Sequence, residues 1–130
     1  MSDKEKYIKE WLVFADEDYF LAGDLIKNDN KYPRSICFHC QQAAEKYLKA
    51  YIIHLDLAMI KTHSLSIITQ QLKQVDVTIE RLEETAASLS EYAVTVRYPD
   101  DFEKISEEEA VKAFEQTTEI KKFIALKLNL

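Results

Sequence analysis

The stretch from Pro33 to Asp56 carries two apolar stripes on one helical period. Ile36, Cys40, Ala43, Tyr47 and Ala50 recur at spacings of three and four residues. Cys37, Ala44, Leu48, Tyr51 and Leu55 do the same on an adjacent face. A helix that is apolar on two sides must be covered from two sides, so this segment belongs at the centre of a helical bundle. Its polar residues are not simple surface charges. Arg34, His39, Gln41, Gln42, Glu45 and Lys46 crowd together, and a central helix with such a polar seam is where a bundle builds a site or an interface.

The remaining segments share the helical period. Helix 1 is expected from Lys4 to Asn28, with Trp11, Phe14, Ala15, Asp18, Ala22 and Leu25 on one face. Asp18 puts a carboxylate on that apolar stripe, which reads as a buried structural group needing a cation or backbone donors. Lys46 and Arg97 are its candidate partners. Asn28-Asp29-Asn30 is a turn cluster, and Pro33 suits the first turn of helix 2. A shorter helix 3 runs from Ser64 to Lys73, capped by Thr62 or Ser64, and Gln74-Val75-Asp76 breaks it. Ile79, Leu82, Ala86, Leu89, Ala93 and Val96 predict one regular helix 4, stopped by Pro99. Ser106 and Glu109 form a capping box for helix 5, whose inner face is Ala110, Ala113, Phe114, Thr117, Ile120, Ile124 and Leu128. No strand period occurs, and one glycine and two prolines leave little scope for tight hairpins. The expected fold is all-α, an antiparallel four/five-helix up-and-down bundle, with residues 1–130 forming one domain.

Net charge is −6, which argues against a general nucleic-acid coat while allowing a local basic cleft. No apolar run approaches the roughly 20 residues of a membrane span. The charged start, Met1 to Lys6, has no apolar signal core behind it. With two cysteines, the chain is expected in a reducing cytoplasm, away from membranes.

Several residues invite chemistry. Arg97 and Asp100 bracket Tyr98 and Pro99 where helix 4 stops. Arg97 can be a helix-terminal cation favoured by the dipole, or a fork for phosphate beside a tyrosine that stacks on a base. Arg34 and His39 offer a cation and an imidazole five residues apart. They read either as a weak catalytic pair or as a solvated arginine and a half-buried histidine. Cys37, His39 and Cys40 look like half a zinc site without its second pair, so no metal is expected. His63 reads as a packing or ligand-facing residue at the start of helix 3. Gln42 and Lys46 read as a solvated face, a dimer seam or a nucleotide-contacting surface.

Three strings in order, FHCQQAAEKYLKAY, then Lys61-Thr62-His63-Ser64-Leu65, then Val96-Arg97-Tyr98-Pro99-Asp100, resemble the HEPN (higher eukaryotes and prokaryotes nucleotide-binding) domain family. The resemblance runs from about Trp11 to Phe114. It implies a homodimer that binds a nucleotide or RNA at a dimer cleft through Arg97, Tyr98, Asp100, Gln42, Lys46 and His63, without a cofactor. It also implies a small nucleotidyltransferase as partner in a toxin–antitoxin-like pair. The ribonucleases of that family carry an arginine and, four to six residues on, a histidine near this boundary. No histidine follows Arg97 here. Binding without efficient cleavage is therefore expected. The alternatives are a metal-independent endoribonuclease, with Arg97, Asp100, Arg34 and His39 as its candidate groups, and a non-catalytic helical scaffold.

Overall fold

The computed structural model describes residues 1–93 and 104–130. Five α-helices occur among them: α1 Asp3–Lys27, α2 Pro33–His54, α3 Leu65–Lys73, α4 Glu83–Ser90 and α5 Glu107–Lys127. No strand is present among the described residues. Three helices start on a serine whose hydroxyl accepts an orphan amide of the first turn. Ser2 takes Glu5 N–H at 3.1 Å, Ser64 takes Ile67 N–H at 3.3 Å and Ser106 takes Glu109 N–H at 3.0 Å. α2 instead begins at Pro33 after Tyr32, which has no side-chain cap.

α2 is the central element. α1 packs along one side and α5 along another, with α3 and α4 closing the remainder. Both apolar stripes of α2 are buried apart from half-buried Leu55. Both sides of α2 are thus covered within the chain. α1 and α2 are joined by a short turn and run antiparallel. α4 runs antiparallel to α5, as the Thr85–Glu119, Ser88–Gln116 and Tyr92–Glu109 hydrogen bonds require. Residues 55–64 return along α2 before α3 begins, and the Gln41 amide donates to the His63 carbonyl at 3.0 Å.

The core joins Ile36, Leu48 and Ile52 of α2 to Leu65, Ile68 and Leu72 of α3, Leu89 of α4, and Ile120 and Ile124 of α5, all fully buried. Each such side chain contributes roughly 1.5–3 kcal/mol relative to exposure. The sole glycine, Gly23, lies where α5 comes close. A Cβ there would meet the Phe114 ring at 3.1 Å, and that ring stacks on Tyr19 with centroids 4.8 Å apart.

Two expectations need correction. Helix 4 is not one regular helix. Val77–Leu82 is a 3-10 helix, α4 proper spans Glu83–Ser90, and Glu91–Ala93 is again 3-10. The β-branched run Val77-Thr78-Ile79 is stiff, and Asp76 captures both the amide and the hydroxyl of Thr78, which fixes a tight first turn. Ile79, Leu82, Ala86 and Leu89 still face the core. The end of that helix, with Val96 and Pro99, lies outside the described residues. Phe14, assigned to the buried stripe of helix 1, is 56% exposed. It stands at the edge of an arc whose interior is filled by Ala15 and Ala22, with Leu12, Tyr19 and Ile26 packed against the core.

Asp76 ties the lower end together. Its carboxylate accepts from Tyr51 O–H at 2.6 Å, from Thr78, and from Lys127 at 3.1 Å. Burial pushes its pKa up, but the Thr78, Tyr51 and Lys127 hydrogen bonds outweigh that and hold it well below the usual carboxylate range.

Candidate functional site along the second helix

Asp18 reaches from α1 to α2 and accepts from two side chains there. His39 Nδ1 donates to one carboxylate oxygen at 2.8 Å, and Lys46 Nζ donates to the other. Asp18 is 14% exposed, against 27% for His39 and 23% for Lys46, so this cluster lies at a rim rather than in the core. His39 and Lys46 stand seven residues apart on one face of α2, which lets a single carboxylate span both. An ionised carboxylate only accepts, so Nδ1 of His39 carries the proton and Nε2 remains for another partner.

Two residues before Asp18 on α1, Asp16 accepts from Tyr47 O–H at 2.5 Å and from Lys121 Nζ of α5 at 3.3 Å. Burial and the Asp16 carboxylate push the Tyr47 hydroxyl far above its ordinary range, so it stays a donor. The Lys121 ammonium sits over the rings of Tyr19, Phe20 and Tyr47 at 5.3, 5.6 and 5.5 Å, an arrangement that favours a cation there.

A second cluster centres on Glu45, which is buried on α2. Its carboxylate accepts from Lys49 at 2.9 Å, from His63 Nδ1 at 3.0 Å and from the Gln41 amide at 3.2 Å. Lys49 lies 5.6 Å over the Trp11 ring. His63 is 73% exposed on its side chain, so its ring reaches solvent beyond the nitrogen that Glu45 holds. Gln42 Nε2 donates to Gln41 Oε1 at 2.7 Å, which brings Gln42 into the same network.

The structure therefore joins Gln42 and His63 through Gln41 and Glu45, and joins Lys46 and His39 through Asp18. It does not join Arg34 to His39. Arg34 is exposed at the start of α2, and five residues turn the helix by about 140° from His39. Arg97, Tyr98 and Asp100 lie outside the described residues. Among the described residues the cation on Asp18 is Lys46.

Cys37 and Cys40 are fully buried. Burial pushes their thiols up to about 11 and about 12, which keeps them protonated and poor as ligands or nucleophiles. No group of three or more His, Cys, Asp or Glu among the described residues could hold a metal ion. No helix there is long and apolar enough to cross a membrane.

Sequence reasoning missed Asp16, Tyr47 and Lys121 as a polar group, and Lys49 as the partner of Glu45. The second had a signal: a glutamate four residues before a lysine is the favoured helical ion pair. The first had none, because Lys121 stands 105 residues beyond Asp16.

A family model described as the HEPN domain matches residues 8–128. The fold is similar to TT1696 from Thermus thermophilus, at 28% identity and a TM-score of 0.77, over 92% of this chain and 97% of that one. It is also similar to ST0689, an archaeal HEPN homologue, at 21% identity and a TM-score of 0.72, over 92% of this chain and 96% of that one. No curated protein sequence matches the chain.

Proposed function

This chain belongs to the HEPN domain family, and on that premise we propose that it binds a nucleotide or RNA segment along α2 without cleaving it efficiently. The observation that carries this is the Asp18–His39–Lys46 cluster at the rim of the bundle. Asp18 fixes the imidazole, whose Nε2 is left for a ligand. An ammonium has three protons, so Lys46 keeps donors for a phosphate oxygen after serving Asp18. In this reading Arg97 supplies a planar fork for phosphate and Tyr98 a stacking face, with Asp100, Gln42 and His63 as further polar contacts. The reading extends to a single cytoplasmic domain over residues 1–130 that forms a homodimer with the ligand cleft between copies. It also includes a small nucleotidyltransferase as the partner in a toxin–antitoxin-like pair. The resemblance supports these last elements.

A second reading, a metal-independent endoribonuclease, is favoured by one observation. A histidine oriented by a carboxylate, as His39 is by Asp18, is the arrangement of a general base. The absence of a histidine after Arg97 and the turn of helix between Arg34 and His39 weigh against it.

Calorimetric titration of AMP, ATP and a short single-stranded RNA tests the binding reading. Lys46→Ala and Arg97→Ala should each weaken binding about tenfold or more, the worth of one charge-assisted hydrogen bond. Equal binding by all three proteins would remove both residues from the site. Rapid metal-free RNA cutting by the parent, abolished in His39→Ala, would replace the binding reading with the enzyme.

A further inference from the structure

We propose that the outward face of α1 is a docking surface for a partner protein that presents a basic row between apolar side chains. Five large apolar residues stand out on this one helix. Tyr7, Phe14 and Leu21 are 48, 56 and 43% exposed, and Val13 and Phe20 are 52 and 56% exposed. They form two stripes at seven-residue spacing. Glu10, Glu17 and Asp24 repeat at the same spacing and are exposed. At 3.6 residues per turn the two apolar stripes lie about 100° apart and the acidic stripe falls between them, about 40–60° from the residues of each. The three carboxylates make no ion pair or side-chain hydrogen bond with any described residue.

An apolar face of this extent marks an interaction site, and the acidic ridge selects its occupant. A second copy docked α1 on α1 about a two-fold axis would set Glu17 against Glu17 and Glu10 against Asp24, a like-charge contact. No described helix of this chain carries exposed Lys or Arg at seven-residue spacing that could answer the ridge. The complementary surface is a partner helix or groove with lysines or arginines spaced about 10 Å apart, two turns of helix, and apolar walls on either side. The surface lies apart from the Asp18 and Glu45 clusters, to which none of these residues belongs, and meets the Asp16 group at Phe20, whose ring lies under the Lys121 ammonium.

The test uses two synthetic helical peptides of three heptads, one with lysine every seventh residue between leucines and one with glutamate there. Fluorescence anisotropy should show the parent binding the lysine peptide, with affinity falling about tenfold as salt rises, and rejecting the glutamate peptide. The variant Glu10→Lys, Glu17→Lys, Asp24→Lys should reverse that preference. Val13→Ser with Phe14→Ser should weaken binding at least tenfold while leaving the melting curve and the nucleotide titration of the parent unchanged. Equal binding of both peptides, or of neither, overturns the proposal. So does self-association of the parent that Phe14→Ser and Phe20→Ser abolish, which would make a second copy the occupant. Adsorption to phosphatidylcholine vesicles lost in the same variants would also overturn it, in favour of a lipid surface.

Discussion

Replacing Glu45 with alanine strikes the most deeply buried charge pair among the described residues. The Glu45 side chain is 5% exposed and that of Lys49 is 9% exposed. Removing one member of a buried pair costs about 3–5 kcal/mol, because the other charge stays behind without a counterpart. Two of the three donors to Glu45 soften that figure. His63 is largely exposed and rehydrates, and the Gln41 amide keeps its bond to the His63 carbonyl. Lys49 remains with the Trp11 ring 5.6 Å away, and a cation–π contact is worth about 0.5–2 kcal/mol, less than the lost carboxylate. The expected loss is about 3 kcal/mol, or about a 10 °C fall in Tm for a chain of this length. Urea unfolding followed by circular dichroism measures it. The double variant Glu45→Leu, Lys49→Met carries no orphaned charge and should be more stable than Glu45→Ala alone, since buried pairs are often replaced by apolar residues at little cost. A Glu45→Ala protein within about 1 kcal/mol of the parent, or a double variant as unstable as the single ones summed, would refute the account.

Asp18→Ala should cost less, about 1–2 kcal/mol, because both of its partners lie at the rim and reach water, and urea unfolding that shows no loss would mean the cluster adds nothing to the fold. Asp76 sets an acid sensitivity. Its folded pKa is lowered by Thr78, Tyr51 and Lys127 against the push of burial, so its contribution is complete above the unfolded value of about 3.9 and is lost as pH falls from there through the folded value. Asp76→Asn should flatten the stability–pH curve below about pH 4, and parallel curves for variant and parent would assign that acid sensitivity to other carboxylates.

The all-α class was legible because periodicity reports burial, and burial is what the helices of a bundle share. The two stripes of α2 ended where their spacing put them, under α1 and α5. Phe14 misled because an apolar residue at the edge of an arc satisfies the same spacing as one at its centre. The break into 3-10 helix at Val77 was hidden because Asp76 acts through its own neighbours, a local competition that an apolar pattern does not register. At the site, the Glu45–Lys49 pair was readable from one helix. The meeting of Glu45 with His63 was not, because it depends on the path of residues 55–64 back along α2. The same holds for Asp16 and Lys121, which belong to the first and last helices.

The turns of this chain have a thermodynamic consequence in the unfolded state. Asp29, Asn30, Tyr32, Asp56 and Asn129 all take positive φ, and none of them is glycine. Glycine would adopt that geometry without steric penalty, but it would also leave the unfolded chain more conformations to lose, a difference of about 0.4–1 kcal/mol per position. Asn and Asp tolerate the left-handed region because their short side chains bond locally. At four of the five positions the molecule therefore obtains its reversals with a stiffer denatured ensemble. Tyr32 is the exception: a bulky residue at φ 64° directly before Pro33, where the same denatured-state gain is set against a left-handed penalty of about 1–2 kcal/mol.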